Sequence, residues 1–270
     1  MTQAATAALL AHLEHAAAVR VAVRSVQGSG PREPGAWMAV LPQGQIGSVG
    51  GGHLEFEAIA HARRLLAGQA GAGELRFALG PALGQCCGGV VVLGFKHLGA
   101  ADMPALRAEL QATLAKGLPV ALFGGGHVGK ALVQVFAHLP VNVNWFDSRD
   151  EIFPGELPAN VQAEHSEPVH GAVPGLAPAS NVLILSFSHA EDLDVLAACL
   201  ARARERDDLP FIGLIGSASK WASFRHRLQA RGFGDADFAR VTSPIGVPGV
   251  MGKEPEVIAV AVAAQLLMRR

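Results

Sequence analysis

Val120-Ala121-Leu122-Phe123-Gly124-Gly125-Gly126-His127-Val128-Gly129 decides the fold of this chain. An apolar run reads as a buried strand, and the Gly124-x-Gly126-x-x-Gly129 spacing follows it directly, opening a helix that runs to about Leu139. Glycines at these places permit a tight turn and bring backbone N–H groups close to a phosphate at the positive end of the helix. The next strand, Val141 to Phe146, leads into Asp147, at about the separation expected of a ribose-binding carboxylate. Arg149 is placed to meet a 2′-phosphate instead. A nucleotide or phosphate is the favoured ligand, with its identity open. The bland reading is a Rossmann-like sheet that keeps the loop and binds no dinucleotide.

Downstream the alternation continues. The spacing predicts strands over Val182 to Phe187 and Phe211 to Ile215, and helices from Ser188 to about Arg206, from Ala218 to Arg231, and from Glu254-Pro255 to Met268. Ser188-His189-Ala190-Glu191 has capping-box spacing, and Pro255 suits a first helical turn. Phe153 to Ser180 is proline-rich and reads as irregular. Alternating strands and helices imply a parallel sheet covered on both faces. Gly213-Leu214-Ile215-Gly216-Ser217 repeats the strand–glycine–helix arrangement as a second anion site, with Lys220 in solvent or facing phosphate. Ser217-x-x-Lys220 also matches a serine-acylase motif, but its companion motifs are absent, so the match is accidental.

Upstream of Lys116-Gly117 the character changes. Ala4 to Ala18 suits a short helix, Val19 to Val26 a strand, and Ala36 to Val49 a hairpin turning at Pro42 to Gln45. A helix over Leu54 to Ala67 precedes strands at Glu74 to Leu79 and Val90 to Phe95. The fold class is therefore α/β, with a mixed α+β domain over residues 1–116 followed by a Rossmann-like parallel-sheet domain over 117–270.

Three glycine-lined loops stand out in the first domain. Gly28-Ser29-Gly30-Pro31-Arg32 offers amides and a guanidinium suited to forked phosphate recognition. Gly50-Gly51-Gly52-His53 places mobile backbone and an imidazole at a helix N-terminus, an anion trap. Gly84-Gln85-Cys86-Cys87-Gly88-Gly89 holds two of the chain's three cysteines. A thiol between glycines suits a nucleophile, a soft-metal ligand or a sulfur carrier; packing is the even-weighted alternative.

Composition bounds the rest. Of 270 residues, 17% are charged and the net charge is −1, so the clustered basic face that nucleic acid requires is missing. No apolar run reaches membrane length, and Met1-Thr2-Gln3-Ala4-Ala5 has no positive leader region, which points to a cytoplasmic protein without a membrane partner. Adjacent cysteines cannot build a disulfide framework. The absence of tyrosine excludes tyrosine-based dehydrogenase chemistry. None of the eleven histidines forms H-E-x-x-H or stands at zinc spacing from the cysteine pair, and His12, His61, His138 and His226 read as surface or boundary residues.

Taken in order, these loops resemble the XdhC/CoxI family. The matching stretches run from Gly28 to Met38, Gly47 to Glu55, Gly84 to Gly89, Phe123 to Gly129 and Asp147 to Arg149. They continue through Ser188-His189, Gly213 to Lys220, Ser243 to Gly246 and Gly252 to Ala259, nearly the full chain. The resemblance implies a molybdenum-cofactor chaperone rather than an enzyme. Such proteins bind the molybdopterin cofactor, support its sulfuration by a cysteine desulfurase and deliver it to apo xanthine dehydrogenase. On that reading Cys86 or Cys87 stands near the metal or its sulfur, and Arg32 with Gly51, Gly52 and His53 near the anionic tail. Gly124, Gly126, Gly129 and Asp147 hold a dinucleotide or nucleotide. The hairpin-rich first half is suited to a homodimer interface, though nothing compels one. The alternative is an NAD(P)-dependent oxidoreductase using the Rossmann loop. A molybdopterin cytidylyltransferase ranks last, since its glycine-rich, arginine-containing motif after the first strand is missing.

Overall fold

A computed structural model describes residues 3–79 and 89–269 of the protein. The chain divides into two compact units, Met1–Thr113 and Leu114–Arg270.

The first unit runs α1 (Gln3–Leu13), β1 (Ala18–Gln27), β2 (Trp37–Val40), β3 (Gln45–Gly47), α2 (Gly52–Leu66), β4 (Glu74–Ala78), β5 (Val90–Leu98) and α3 (Met103–Leu114). Its strands form an antiparallel sheet in the order β3-β2-β1-β5-β4. Val19, Val21 and Val23 alternate along β1 toward one face and meet Leu54, Ala58 and Ala62, the apolar stripe of α2. Helix α1 stops short of the expected Ala18 because that residue pairs with Leu98 at the start of β1. Helix α3 is an element beyond the sequence expectations, although its buried residues Met103, Leu106 and Leu110 recur at helical spacing. His61, expected at a boundary, is buried against Phe95 and bonds the Ala72 carbonyl at 2.9 Å.

The second unit runs β6 (Leu118–Phe123), α4 (His127–Phe136), β7 (Val141–Asp147), β8 (Val161–His165), β9 (Asn181–Ile184), α5 (His189–Arg206), β10 (Phe211–Leu214), α6 (Ala218–Gln229), α7 (Asp235–Phe238), β11 (Val241–Thr242) and α8 (Pro255–Leu267). All six described strands are parallel, in the order β11-β10-β9-β6-β7-β8. Numbered within the unit this is 6-5-4-1-2-3, the strand order of dinucleotide-binding sheets. Central strands are buried on both faces, so alternate residues serve different cores. Val120, Leu122 and Leu183 pack with Leu132 and Phe136 of α4 and Val262 and Leu266 of α8. Ala121, Phe123, Val182 and Ile184 face Leu196, Leu200 and Phe224 of α5 and α6 instead.

The stretch Phe153 to Ser180, expected irregular, contains β8 and a 3-10 segment over Val169–Gly175. Pairing with β7 orders β8, and buried Arg202 orders the 3-10 segment. One guanidinium donates to the Val173 and Leu176 carbonyls at 2.7 and 2.8 Å and forks onto Asp208. Proline-rich sequence hides this, because the anchor comes from a distant helix.

Candidate functional site

The glycine loop leaves β6 as expected. Gly124 has φ of 122°, a left-handed conformation, and a methyl there would overlap the Leu185 carbonyl. Its own carbonyl accepts the Trp145 indole N–H at 2.9 Å, and a methyl on Gly129 would overlap that same oxygen. Gly124 and Gly129 therefore let α4 sit tight on the sheet. Gly126, the N-cap of α4, has open space where a Cβ would be. The loop leaves β6 beside the switch between β6 and β9, the ligand position of such sheets.

Asp147 ends β7 as expected, but its carboxylate is turned inward and is 1% exposed. One oxygen accepts the Gly125 N–H at 2.6 Å and Arg149 Nη2 at 3.0 Å. The other accepts the Arg149 N–H and Nε, each at 2.9 Å. Burial pushes this carboxyl up, yet the Arg149 fork and the two amides outweigh it and hold it below the usual carboxylate range. The guanidinium lies 4.2 Å over the ring of Phe187, a residue 65% exposed beyond the end of β9.

The loop after β9 is held by first-turn acids of α5. Ser188 caps the helix by accepting the Glu191 N–H, as the capping box predicts. The Glu191 carboxylate does not close the box. It accepts the Phe187 N–H at 3.1 Å and the Ser148 hydroxyl at 2.7 Å. Asp192, buried, accepts the Ser186 N–H at 2.7 Å and Lys220 Nζ at 2.6 Å. Lys220 is thus turned inward, donating also to the Ile215 carbonyl, and stands neither in solvent nor toward a phosphate. Phe187 and Asp192 are site residues beyond the sequence expectations, and Glu191 enters those only through its capping-box spacing. The signal was the pair of acids in the first turn after a strand, where free N–H groups invite them.

In the first unit, Gly50, Gly51 and Gly52 take φ of 134°, 76° and 63°, conformations that only glycine adopts in series. The loop they form is filled by the chain itself. Glu55 Oε2 accepts the Ser48 hydroxyl at 2.6 Å and the Val49 and Gly51 N–H groups at 2.9 and 3.1 Å, while Gln45 donates to Oε1. Burial raises the Glu55 carboxyl, and these bonds more than reverse it, leaving it below its ordinary value. His53 faces outward beside Glu57 and Phe56.

Two further contacts gather the loops of this unit. A methyl on Gly50 would overlap the Pro31 ring, and Arg32 lies beside that glycine, exposed and without an ion pair among the described residues. Gly89 is the last residue of the cysteine stretch; a methyl there would overlap the Ser29 carbonyl, and its own carbonyl accepts the Leu79 N–H at 2.7 Å. The Gly28–Arg32 loop thus lies against both the Gly50 loop and Gly89, two residues after Cys87 in sequence. Cys86 and Cys87 themselves lie outside the described residues. Cys199, the remaining thiol, is in the core, and burial pushes it up to about 12. Among the described residues no three His, Cys, Asp or Glu side chains gather as metal ligands, and no helix is long and apolar enough to cross a membrane.

A six-stranded parallel sheet in this order, with a glycine loop at its switch point, defines the second unit as a Rossmann domain. The family model of the XdhC Rossmann domain matches residues 120–266, and that of the XdhC and CoxI family matches residues 11–78. The chain belongs to the XdhC family. A crystal structure of a xanthine dehydrogenase from Bacillus halodurans shares the fold with a TM-score of 0.72 at 18% identity, covering 99% of this chain and 95% of its own. An oxidoreductase from Lactococcus lactis aligns at 16% identity over 56% of this chain and 63% of its own, with a TM-score of 0.29. No curated protein matches.

Proposed function

We propose that the protein is a molybdenum-cofactor chaperone. It binds the molybdopterin cofactor, supports its sulfuration by a cysteine desulfurase and delivers it to an apo xanthine dehydrogenase in the cytoplasm. Family membership implies a role in xanthine dehydrogenase maturation; cofactor handling is our extension of it. The observation that carries it is the meeting of Arg32, the Gly50 loop and Gly89 around one loop of the first unit.

The donors fit the cofactor's chemistry. Arg32 is exposed and uncommitted to a carboxylate among the described residues, as a phosphate-binding guanidinium must be. Cys86 and Cys87 supply the soft sulfur donors that suit a molybdenum–sulfur centre. The cofactor itself, when bound, brings the molybdenum whose oxo ligand is exchanged for sulfido. The chain's part is to hold the anionic tail through Arg32 and to shelter the metal at the thiols. A role in redox catalysis through the Rossmann crevice is less well supported, since the Asp147 carboxylate that would seat a ribose is already committed to Arg149.

Co-expression with cofactor biosynthesis, followed by pterin and molybdenum analysis of the purified protein, tests the proposal. Wild-type protein should retain both and activate apo enzyme. The Cys86→Ala/Cys87→Ala protein should lose activation, and Arg32→Ala should retain less pterin. Protein that emerges free of pterin, under conditions that load a molybdoenzyme, would refute the chaperone reading. Normal activation by the double cysteine variant would refute the assignment of the thiols.

A further inference from the structure

In sheets of this order, the acid that ends the second strand receives the ribose hydroxyls of a dinucleotide. Asp147 holds that place at the end of β7. A carboxylate offers about four acceptor positions. Here four donors take them: the Gly125 N–H, the Arg149 N–H, Arg149 Nε and Arg149 Nη2, between 2.6 and 3.0 Å. Two of the four come from one side chain.

That side chain is itself fixed. Its guanidinium lies on the Phe187 ring, from the loop after β9. Next to it, the Ser148 hydroxyl donates to Glu191, whose other oxygen accepts the Phe187 N–H. Strands β7 and β9 flank β6 on opposite sides, so these contacts tie the two loops together across the end of β6. The glycine loop leaves from that same end.

We propose that Arg149 is a specificity-determining residue that occupies the ribose seat of the Rossmann crevice and shuts out nicotinamide dinucleotides. The guanidinium meets Asp147 as a pair of ribose hydroxyls would, through two donors on two oxygens. A dinucleotide gains the acid only by displacing a bidentate, charge-assisted partner, and two neutral hydroxyls do not repay that loss. The assignment is independent of the cofactor proposal, because it concerns only residues of the second unit.

Titration calorimetry of the full-length protein with NAD+ and NADP+ at millimolar concentration decides it. Wild-type protein should show no saturable binding of either. Arg149→Ala, which frees the carboxylate, should bind NAD+ at least about tenfold more tightly, the worth of a hydrogen bond to a charged group. NADP+ should gain nothing, since its 2′-phosphate would face a bare carboxylate. Asp147→Asn combined with Arg149→Ala should lose the gain. Where the alanine variant unfolds, Arg149→Met keeps a long apolar side chain without the guanidinium and carries the same expectation. Saturable binding of either dinucleotide by wild-type protein overturns the proposal. So does a folded Arg149 variant, by circular dichroism, that fails to bind NAD+.

Discussion

Replacing Gly129 by alanine sets two sizeable effects against each other. Alanine favours a helix by about 1 kcal/mol over glycine. Its methyl, however, would overlap the Gly124 carbonyl, a backbone atom that cannot step aside as a side-chain tip can. Overpacking of this kind costs about 1–3 kcal/mol. Moving that oxygen also breaks its bond from the Trp145 indole, worth about 1 kcal/mol. The balance is a loss of about 2 kcal/mol, with the clash deciding the sign. With a urea slope of about 2 kcal/mol per molar, the unfolding midpoint should fall by about 1 M. Gly126→Ala is the matched control three residues earlier. Its backbone, φ −67° and ψ −172°, suits any residue, and the added methyl meets nothing within 4 Å. The weaker N-cap is offset by the stiffer unfolded chain, so the stability should stay within about 0.5 kcal/mol of wild type. Tryptophan fluorescence suits the measurement, because buried Trp145 sits at the disturbed oxygen. A Gly129→Ala protein as stable as wild type, or a Gly126→Ala protein that is worse, would show that the loop is not held as described.

Glu55→Ala should cost about 1–2 kcal/mol and speed hydrogen exchange at the Val49 and Gly51 amides, which lose their acceptor; unchanged protection there would mean that another group holds the loop. Arg204 forks onto Asp237 and lowers its carboxyl to about 2. A depressed carboxylate adds stability above its unfolded value of about 3.9, which is lost as pH falls toward about 2. Asp237→Asn should therefore flatten the acid limb of a midpoint-against-pH plot and leave its slope near neutrality alone; an unaltered acid limb would contradict the pairing. Cys199, fully buried with its thiol pushed up to about 12, should resist a thiol reagent at mildly alkaline pH. In Cys86→Ala/Cys87→Ala protein, labelling should appear only after denaturation, and rapid labelling of the native variant would sink that expectation.

The second unit was the more legible half. Strand–glycine–helix spacing at 120–139 is local information, and local rules govern it. Boundaries drifted where pairing intervened, as at Ala18, which the sheet takes from the first helix. β8 and the 3-10 segment are hidden because their order comes from elsewhere in the chain, from pairing with β7 for the strand and from Arg202 for the 3-10 segment. The candidate site was legible by position and much less by state. Gly124, Gly129 and Asp147 stand where the motif puts them, but no spacing rule says that Arg149 will turn back onto Asp147. In the same way the Gly50 loop reads as an anion trap, and only the folded chain reveals Glu55 inside it.

That carboxylate has a consequence for anything that would load the Gly50 loop. Glu55 is a competitor on a tether of one helical turn, present at its amides at an effective concentration in the millimolar range or above. Inorganic phosphate drifting in from solution meets that competitor at every encounter and has one point of attachment with which to beat it. A cargo that grips Arg32 first, as the proposed function requires, would be tethered in its turn and compete on equal terms. Under the proposed function, the loop would thereby ignore abundant simple anions and answer to a bulkier one that arrives already held.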